Sequence, residues 1–462
     1  MFEPATYVAR RNRLRADVGS GLILMLGNDE VGMNYAANTY HFRQDSTFLY
    51  FFAADLPGLA AVIDVDDGTE TLYGDELTVA DIVWTGPQPT MADHCKPAGI
   101  AAHAPLSDLD TTLAAAIKQG RRIHILQPYR IEHTQKITNL LGIKPSMVAS
   151  YRSETLHKAV VAQRNIKSAE EVADIERAIN VSREMYLAAM AAAQPGKYEY
   201  EIVAEILRIA TSRGCDLSFP IICSVHGETL HNHYHGHQMA AGDVFVLDSG
   251  VETVHRYASD ITRTIPVSGT FTTQQRTIYE MVLRAQLAAI AAIKPGVRYK
   301  DVHLMVAKSF AADLKAVGLM KGDVEEAVAN GAHALFFPHG LGHMLGLDVH
   351  DGENLGEQYV GYEPGLERST QFGLGYLRLA RALQPGFVLT VEPGLYFIPQ
   401  LIDLWKSEKT NAAFINYAEV EKYRNARGYR IEDNVVVTST GNRVLGRPIP
   451  KTVDDVERAC KG

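Results

Sequence analysis

The sequence contains little cysteine and no excess of basic residues among its 462 positions. The four cysteines, Cys95, Cys215, Cys223 and Cys460, lie far apart without a CxxC pair, which argues against a thiolate zinc site and against a disulfide framework. Lys and Arg total 45 against 54 Asp and Glu, which gives a net charge of −9. Neither nucleic acid nor an anionic membrane is therefore an expected partner.

Long apolar runs are also absent. No stretch reaches the roughly 18 apolar residues that a membrane-spanning helix needs. The N-terminal stretch MFEPATYVARRNRLRADVGSG lacks the apolar core of a signal peptide. With 46% hydrophobic and 21% charged residues, the composition is typical of a globular protein, and we expect a cytoplasmic one.

The length of the chain predicts two domains. Residues 1–160 mix short apolar runs such as GLILMLG and LAAVIDV with turn residues, which suggests an α/β domain. A long helix is then predicted to begin at Ser168, where Glu171 completes the spacing of a capping box, and to end before Pro195. We expect residues 161–462 to form the second domain.

Two patterns recur in the second domain in the same order. AAAQPGKYEYEIV ends one helix at Pro195, and AAIKPGVRYKDVH ends another at Pro295. GDVFVLDSG and GFVLTVEPG each place an acid at the end of a strand, Asp248 in the first and Glu392 in the second. These echoes predict a duplicated α/β domain with pseudo-twofold symmetry and a site lined from both halves.

The stretch VFVLDSGVETVHRYASDITRT predicts a β-hairpin with strand 244–248, a turn centred on residue 254 and a return strand from about residue 256. In that register Asp248 lies opposite Asp260, with Cβ atoms about 4.5 to 5.5 Å apart. Two carboxylates so placed repel each other unless a cation or a shared proton intervenes. A metal is the simpler explanation, and a pair of solvated turn acids is the alternative.

The second half supplies two further acids and a group of histidines. Glu392 ends its strand, and Glu432 lies in GYRIEDNVVVT, an alternating strand that can pair back onto it. PHGLGHMLGLDVHD places His339, His343 and His350 in a glycine-rich frame. Four carboxylates and one imidazole favour Mn²⁺ or Co²⁺ over Zn²⁺, which prefers thiolate ligands. The four negative charges fit two divalent ions. Paired metals make a bound water nucleophilic and polarise a carbonyl.

These motifs resemble those of the pita-bread metallopeptidases specific for Xaa-Pro bonds, prolidase and aminopeptidase P. The matching series is GDVFVLDSG, YASDITRTIPVSGTFT, PHGLGHMLGLDVHD, LQPGFVLTVEPGLYF and YRIEDNVVVT, and YHFRQDSTFLYF is similar to the family's N-terminal domain. The resemblance implies an α/β (α+β) protein with a smaller N-terminal domain, like that of creatinase and aminopeptidase P, and a C-terminal pseudo-twofold pita-bread domain. It also implies a homodimer.

The resemblance implies two divalent metal ions, Mn²⁺ first, with Co²⁺ or Zn²⁺ as alternatives. Their ligands would be Asp248, Asp260, His343, Glu392 and Glu432. In the family, the equivalents of Asp260 and Glu432 bridge both ions, that of Asp248 serves one ion, and those of His343 and Glu392 serve the other. Glu392 is also a candidate to take a proton from the bridging water.

Further residues acquire implied roles toward the substrate. His350 would hydrogen-bond the carbonyl oxygen as it becomes tetrahedral, and Arg430 would orient the ligands. In HGETLHNHYHGHQMAAGD, His231 best matches the family's substrate-binding histidine, with His233 as the rival. His339 would line the pocket or belong to the core.

Two insertions, YLRLARALQPG and LIDLWKSEKTNAAFINYAEVEKYRNARGYRIED, resemble those of the prolidase branch. There an arginine matching Arg378 binds the free carboxylate of a dipeptide, which suits the bidentate guanidinium fork. Alternatively Arg378 and Arg381, three apart in a helix-like stretch, are exposed. Tyr396 lines the site or is a core residue.

We therefore expect an Xaa-Pro dipeptidase acting on dipeptides or short X-Pro peptides. Aminopeptidase P, which acts on longer peptides, is the near alternative. A non-catalytic pita-bread binding module is the remote one.

Overall fold

The computed structural model describes residues 2–461 and divides the chain into two compact units. The first unit runs to Arg164 and includes the later segment Glu353–Tyr359, while the second comprises Asn165–Gly352 and the chain from Val360 onward. The expected domains, 1–160 and 161–462, did not place that later segment with the first unit. Among residues 2–461, no helix has both the length and the apolar character needed to cross a membrane.

The first unit is a mixed α/β structure. Its helices are α1 (Pro4–Val18), α2 (Ser46–Phe52), α3 (Val79–Thr85), α4 (Met91–Cys95), α5 (Asp108–Lys118), α6 (Ile131–Leu141), α7 (Val148–Tyr151) and α8 (Glu154–Arg164). Its strands are β1 (Leu22–Leu26), β2 (Gly32–Tyr35), β3 (Asn38–Thr39), β4 (Ala60–Asp64), β5 (Glu70–Tyr73), β6 (Ala102–Ala104) and β7 (Ile123–His124).

Five of these strands form one sheet in the order β6-β5-β4-β1-β7. The three central strands are antiparallel to one another, whereas both edge strands are parallel to their neighbours. The sheet forms a core with the apolar faces of α5 and α6, in which the buried side chains include Leu22, Leu24, Val62, Leu113 and Ile137. The apolar runs in the sequence are thus the central strands of this sheet.

The second unit contains the remaining elements. Its helices are α9 (Ala169–Ala192), α10 (Glu199–Ser212), α11 (Thr273–Ala292), α12 (Tyr299–Ala316), α13 (Val324–Ala329), α14 (Glu357–Val360, which begins in the first unit), α15 (Pro399–Glu408), α16 (Tyr417–Val420) and α17 (Val453–Ala459). Its strands are β8 (Asp216–Leu217), β9 (Ile222–Ser224), β10 (Val244–Ser249), β11 (Val251–Glu252), β12 (Ile261–Pro266), β13 (Val388–Val391), β14 (Gly394–Tyr396), β15 (Gly428–Arg430), β16 (Asp433–Val437) and β17 (Asn442–Val444).

The long helices occur as two matching pairs. Ser168 and Glu171 form the expected capping box at the start of α9: the Ser168 hydroxyl accepts from the Glu171 N–H, and the Glu171 carboxylate accepts from the Ser168 N–H. Helices α9 and α11 both end shortly before a Pro-Gly pair, and each is followed by a second helix, α10 or α12. The helix ends agree with those that the repeated sequence pattern predicts.

The duplication includes the strand pairs β10–β12 and β13–β16, whereas the third strand of each sheet lies beside β10 in the first half and beside β16 in the second. The orders of the two sheets are β12-β10-β9 in the first half and β13-β16-β17 in the second. A bridge between Thr262 and Glu432, in which the Glu432 N–H donates to the Thr262 carbonyl over 3.0 Å, joins the backbones of the two halves. The backbone segments that carry Asp260 and Glu432 are therefore adjacent.

The predicted register of the first hairpin is wrong by two residues. Asp248 pairs with Thr262, and Asp260 precedes the return strand β12. Antiparallel contacts continue beyond β10 to the pair Glu252 and Ala258, so the turn is centred on residue 255, with Arg256 in the left-handed region at φ 68°. Because side chains alternate between the two faces of a sheet, a shift of two leaves Asp260 on the same face as Asp248.

Two buried histidines lie away from the acids. His303 on α12 and His333 in a short 3₁₀ turn have ring centroids 6.4 Å apart and exposures of 0% and 1%. Within residues 2–461, none of their four ring nitrogens has a hydrogen-bond partner. Burial lowers the pKa of His303 to about 3 and that of His333 to about 4. Both imidazoles are therefore neutral above about pH 5.

This pair predicts that the protein loses stability in acid and that substitution of one of the two histidines reduces this loss. An unfolded histidine takes up a proton near pH 6.5, whereas the buried ones do so only at about 3 and about 4, so stability falls as the pH falls below about 6.5. Each histidine contributes up to about 1 kcal/mol per pH unit in this range. We expect His303→Leu to reduce the drop in the thermal unfolding midpoint between pH 7 and pH 5. The exposed His103→Leu is the matched control, and equal drops in both variants would contradict the prediction.

Candidate metal centre

Four carboxylates converge where the two halves of the second unit meet. Asp248 lies near the end of β10, Asp260 directly precedes β12, Glu392 directly follows β13, and Glu432 lies between β15 and β16. All are largely withdrawn from water: Asp248 is 8% exposed, Asp260 5% and Glu432 1%, and the Glu392 side chain is 17% exposed. The duplicated strands thus bring together the four acids that the sequence singled out.

His343 faces these acids. Its Nε2 atom lies 3.4 Å from Asp260 Oδ2 and 3.4 Å from Glu392 Oε1, while its Nδ1 lies 3.0 Å from the Met344 carbonyl oxygen. Because a carbonyl can only accept, a neutral ring carries its proton on Nδ1 and presents the Nε2 lone pair to the acids. This is the usual arrangement of a metal-binding histidine.

The electrostatics of the cluster indicate a missing positive charge. Burial, together with neighbouring carboxylates, raises the pKa values of Asp260, Glu392 and Glu432 well above their ordinary range. Among the described residues, Asp248 Oδ1 and Glu432 Oε1 are buried without a donor. Asp260, His343 and Glu432 can each offer one atom within 4.8 Å of the others. An oxygen-rich set with one imidazole fits a hard or borderline divalent cation.

Arg430 compensates part of the negative charge. Its guanidinium, on a residue that is 4% exposed, donates to Asp248 Oδ2 over 2.6 Å, to the Tyr396 hydroxyl over 2.7 Å and to Thr262 Oγ1 over 3.1 Å. Thr262 Oγ1 in turn donates to Glu432 Oε2 over 2.7 Å. One arginine therefore orients two of the acids, Asp248 directly and Glu432 through a threonine hydroxyl.

A second threonine orients the other side of the cluster and was missed from the sequence. Thr390 Oγ1 donates to Glu392 Oε1 over 3.1 Å and accepts from the His343 N–H over 3.0 Å. A Cβ at Gly342 would lie 2.1 Å from the Thr390 carbonyl oxygen, so only glycine allows the loop this close to β13. The available signal was spacing: Thr390 and Thr262 each lie two residues from an acid, on the same face of an extended strand.

The other predicted histidines surround the acids. The His350 ring packs against the His343 ring, with centroids 3.8 Å apart and ring planes inclined by 32°. His339 Nε2 lies 2.9 Å from the Tyr396 hydroxyl, its Nδ1 lies 4.0 Å from Glu392 Oε2, and burial lowers its pKa to about 3. The His339 side chain, which is 15% exposed, and the fully buried Tyr396 therefore both border the cluster.

The loop histidines differ in what they face. His231 is on the solvent side, yet burial of part of the ring and the positive charge of Arg430 lower its pKa, while Asp248 acts in the opposite direction. His350 is also close enough to act on it. The Nδ1 atom of His233 instead lies 3.4 Å from the Ile221 carbonyl oxygen. His231 therefore lies close enough to Asp248 and Arg430 for their charges to act on it, and the choice between His231 and His233 stays a prediction.

Arg378 does not lie in a helix-like stretch, and that expectation is corrected here. Residues 377–380 form neither a helix nor a strand, and the N–H groups of Ala380 and Arg381 both donate to the Gly361 carbonyl, over 2.8 and 2.9 Å. A Cβ at Gly340 would lie 3.0 Å from the Leu377 Cα, so this segment passes against the loop that carries His339. Arg378 itself is partly buried.

Comparisons with known proteins match both parts of the chain. The model of metallopeptidase family M24 matches residues 173–439, and that of the aminopeptidase P N-terminal domain matches residues 7–125. The human Xaa-Pro dipeptidase is 33% identical over 493 residues, covering 98% of this chain and 92% of that protein. A probable Xaa-Pro aminopeptidase of Aspergillus niger is 31% identical over 468 residues, covering 98% of this chain and 97% of that protein.

Solved structures agree with the sequence comparisons. The structure of proline aminopeptidase P II from Yersinia pestis matches with a TM-score of 0.82 at 28% identity, and the match covers 100% of both chains. The expected fold, a smaller N-terminal domain followed by a pita-bread domain, is confirmed.

The cluster predicts opposite effects of Glu432→Gln with and without metal. Without metal, the substitution removes one of several mutually repelling carboxylates, so the variant should unfold at the same or a higher temperature than the wild type. A divalent ion that binds only the folded state stabilises it, by about 2.7 kcal/mol at 100 times its dissociation constant. We expect the variant to lose most of this gain, with metal affinity at least about 10-fold weaker.

The measurement is thermal unfolding of chelator-treated protein with and without added Mn²⁺, alongside direct metal titration. Glu325→Gln, which changes a side chain that is 69% exposed, is the control for a lost surface charge. An unchanged metal-induced shift in Glu432→Gln would contradict the assignment of this cluster as the metal centre.

Proposed function

Since the chain belongs to metallopeptidase family M24, we propose that it is a metal-dependent exopeptidase that hydrolyses the bond before proline, with Xaa-Pro dipeptides as preferred substrates. The observation that carries the proposal is the buried cluster of four carboxylates and His343, bordered by His350, His339 and His231. Both kinds of similar protein, the dipeptidase and the aminopeptidase, support Xaa-Pro specificity.

Asp248, Asp260, His343, Glu392 and Glu432 would hold two divalent ions. When bound, such ions lower the pKa of water and polarise a carbonyl group. The cluster fits this role because it carries uncompensated negative charge and, among the described residues, two buried carboxylate oxygens without a hydrogen-bond donor. We propose Mn²⁺ as the native ion, with Co²⁺ or Zn²⁺ as alternatives, because carboxylate oxygens outnumber nitrogen ligands.

The side chains around the ions would orient the substrate and handle protons. Glu392 would hold the proton released by the attacking water on Oε2, because Thr390 already donates to Oε1. His350 would donate to the substrate carbonyl oxygen as it gains negative charge.

His231 would contact the substrate from the solvent side. Proline forms a tertiary amide without an N–H, so the substrate offers no backbone donor at the scissile bond for the enzyme to recognise. Recognition must then use the ring of proline, the free ends of the peptide and the carbonyl oxygen. Histidines on loops around the cluster offer such contacts.

The preference for dipeptides would come from Arg378. A guanidinium can bind a free carboxylate through two parallel hydrogen bonds, and this favours a substrate that ends at proline. The segment of Arg378 passes the loop that carries His339, which supports this role. If Arg378 does not reach the substrate, longer X-Pro peptides would be cleaved, as expected of an aminopeptidase P.

Two further properties remain predictions. A cytoplasmic location rests on the composition and the N-terminal sequence. A homodimeric state rests on the family resemblance.

A competition between Ala-Pro and Ala-Pro-Ala tests the proposed function. With Mn²⁺ present and both peptides at equal concentration, we expect preferential loss of the dipeptide. Free proline, released from Ala-Pro, and Pro-Ala, released from Ala-Pro-Ala, are quantified separately. Preferential formation of Pro-Ala would favour the aminopeptidase alternative. Cleavage of neither peptide with Mn²⁺ or Co²⁺ would contradict the exopeptidase proposal.

Substitution of Arg378 tests the origin of the dipeptide preference. We expect Arg378→Ala to lower kcat/KM for Ala-Pro by about 10- to 100-fold, the loss of a charge-assisted pair, while Ala-Pro-Ala is less affected. Arg378→Lys should recover only part of the loss, because an ammonium has no planar fork. Arg298→Ala, which removes a surface pair with Glu363, is the control. Equal losses of kcat/KM for both peptides would show that Arg378 does not bind the free carboxylate of the dipeptide.

A further inference from the structure

A buried carboxylate outside the metal cluster holds the loop of His231 at both ends. Glu199, at the start of α10, has a fully buried side chain. Its Oε1 atom accepts from the Ser224 hydroxyl over 3.1 Å and from the Val225 N–H over 2.8 Å. Its Oε2 atom accepts from His237, from the N–H over 3.2 Å and from Nδ1 over 3.0 Å. We call residues 224–237 the histidine loop.

The same contacts extend to the middle of the histidine loop. Asn232 Nδ2 donates to Ser224 Oγ over 3.0 Å, and the His226 N–H donates to the same oxygen over 3.1 Å. Because the Ser224 hydroxyl donates its only hydrogen to Glu199, its lone pairs are left to face these two donors. Asn232 is the neighbour of His231 in the chain, so a relay of two hydrogen bonds connects Glu199 to the residue next to His231.

Backbone contacts fix the base of the loop against the start of α10. The Glu199 N–H donates to the His237 carbonyl over 3.1 Å, and the Tyr200 N–H donates to the His235 carbonyl over 3.0 Å. A Cβ at Gly227 would lie 2.5 Å from Val246 Cγ2, so the loop also lies directly against the strand that carries Asp248. The remaining freedom of His231 therefore depends on the contacts within the loop.

We propose that Glu199 is a positioning residue, which holds the histidine loop so that His231 faces the substrate beside Asp248 and Arg430. The proposal rests on the proposed function, in which His231 contacts the substrate. Burial of a carboxylate away from water is costly unless it is fully hydrogen-bonded, and all four donors to Glu199 belong to this one loop. The carboxylate is thus specific for one conformation of the loop.

The isosteric variant Glu199→Gln is a sharp probe of this arrangement. A carboxylate has two acceptor oxygens, whereas an amide has one oxygen and one NH₂ group. In the variant, the NH₂ group must face either the Val225 N–H or the His237 N–H, and neither backbone group can accept a hydrogen bond from it. One end of the loop then loses its anchor without a change in side-chain size.

Hydrogen exchange measures the loop directly and does not depend on activity. We expect amide exchange in peptides covering residues 224–237 to become at least about 10-fold faster in Glu199→Gln, because a hydrogen bond to a charged group is lost. Exchange elsewhere in the second unit should be unchanged. Unchanged exchange in the loop would overturn the proposal, even if the enzyme were less active.

Kinetics then test whether the loop acts through His231. A displacement of about 1 Å can cost about 100-fold in rate, so we expect kcat/KM for Ala-Pro to fall by about 10- to 100-fold in Glu199→Gln with bound metal unchanged. In a His231→Ala background the same substitution should cost less than about threefold, since residues that act through one another are not additive. Independent losses that multiply would overturn the positioning role.

Two further variants keep the test decisive. Glu201→Gln changes a glutamate two residues along α10, which caps the helix by accepting from the Tyr198 N–H over 2.8 Å, and it should alter neither the loop nor kcat/KM. Asn232→Ala removes only the last bond of the relay, so it is informative if Glu199→Gln does not fold. It should reproduce the kinetic loss, and wild-type kinetics in Asn232→Ala would overturn the relay. If wild-type protein cleaves no X-Pro peptide, the proposed function fails, while the exchange experiment still decides the role of Glu199 in the loop.

Discussion

The second unit is organised around the mutual repulsion of four buried carboxylates. Bringing Asp248, Asp260, Glu392 and Glu432 out of water and close together is unfavourable unless positive charge and hydrogen-bond donors surround them. The protein supplies one guanidinium, from Arg430, and two threonine hydroxyls, from Thr262 and Thr390. These partners do not neutralise the cluster, because the pKa values of three of the acids stay raised by burial and by one another. The remaining negative charge is what a divalent cation would balance.

Duplication of the fold explains how the acids meet, although their roles are not duplicated. Asp248 faces Thr262 across the first hairpin. In the second half, the pairs Val391–Asp433 and Gly394–Arg430 belong to one continuous register, which places Glu392 opposite Glu432. Asp248 then corresponds to Glu392, and Thr262 to Glu432. By the same count the position of Asp260, two residues before Thr262, corresponds to Arg430, so equivalent backbone positions carry side chains of opposite charge. The symmetry supplies the strand ends, and the individual side chains determine the chemistry.

Sequence reasoning identified the parts of this site that local patterns encode. The capping box at Ser168, the helix ends before Pro195 and Pro295, and the strands ending in acids follow from spacing and from residue type. The hairpin register did not, because pairing continued beyond β10 and shifted the turn centre to residue 255, a detail that alternation of side chains cannot reveal. The acids still lie on one face because the error was an even number of residues.

Other features depended on contacts between distant segments. Arg378 looked helical from its spacing to Arg381, but the segment is irregular, and the N–H groups of Ala380 and Arg381 donate to the distant Gly361 carbonyl. Thr390 looked like an ordinary strand residue, and its role follows only from the approach of the Gly342 loop to β13. The joining of Glu353–Tyr359 to the first unit likewise has no local signal. Tertiary packing overrides local preference in each case.

The carboxylates of the cluster and the histidines around it lie on different kinds of backbone segment. The four carboxylates proposed as metal ligands lie at or near strand ends, where backbone hydrogen bonds fix their positions, whereas the proposed ligand His343 lies on an irregular segment. Groups that contact a substrate must lie where it can enter and leave, and His231 and His350, for which we propose that role, are on irregular segments. A loop can orient such a group only if its own polar atoms are fixed. The buried carboxylate of Glu199 provides that constraint for the histidine loop, because four donors from one segment converge on it. In the proposed function, the position of His231 therefore depends on a buried acid that lies outside the cluster of four carboxylates.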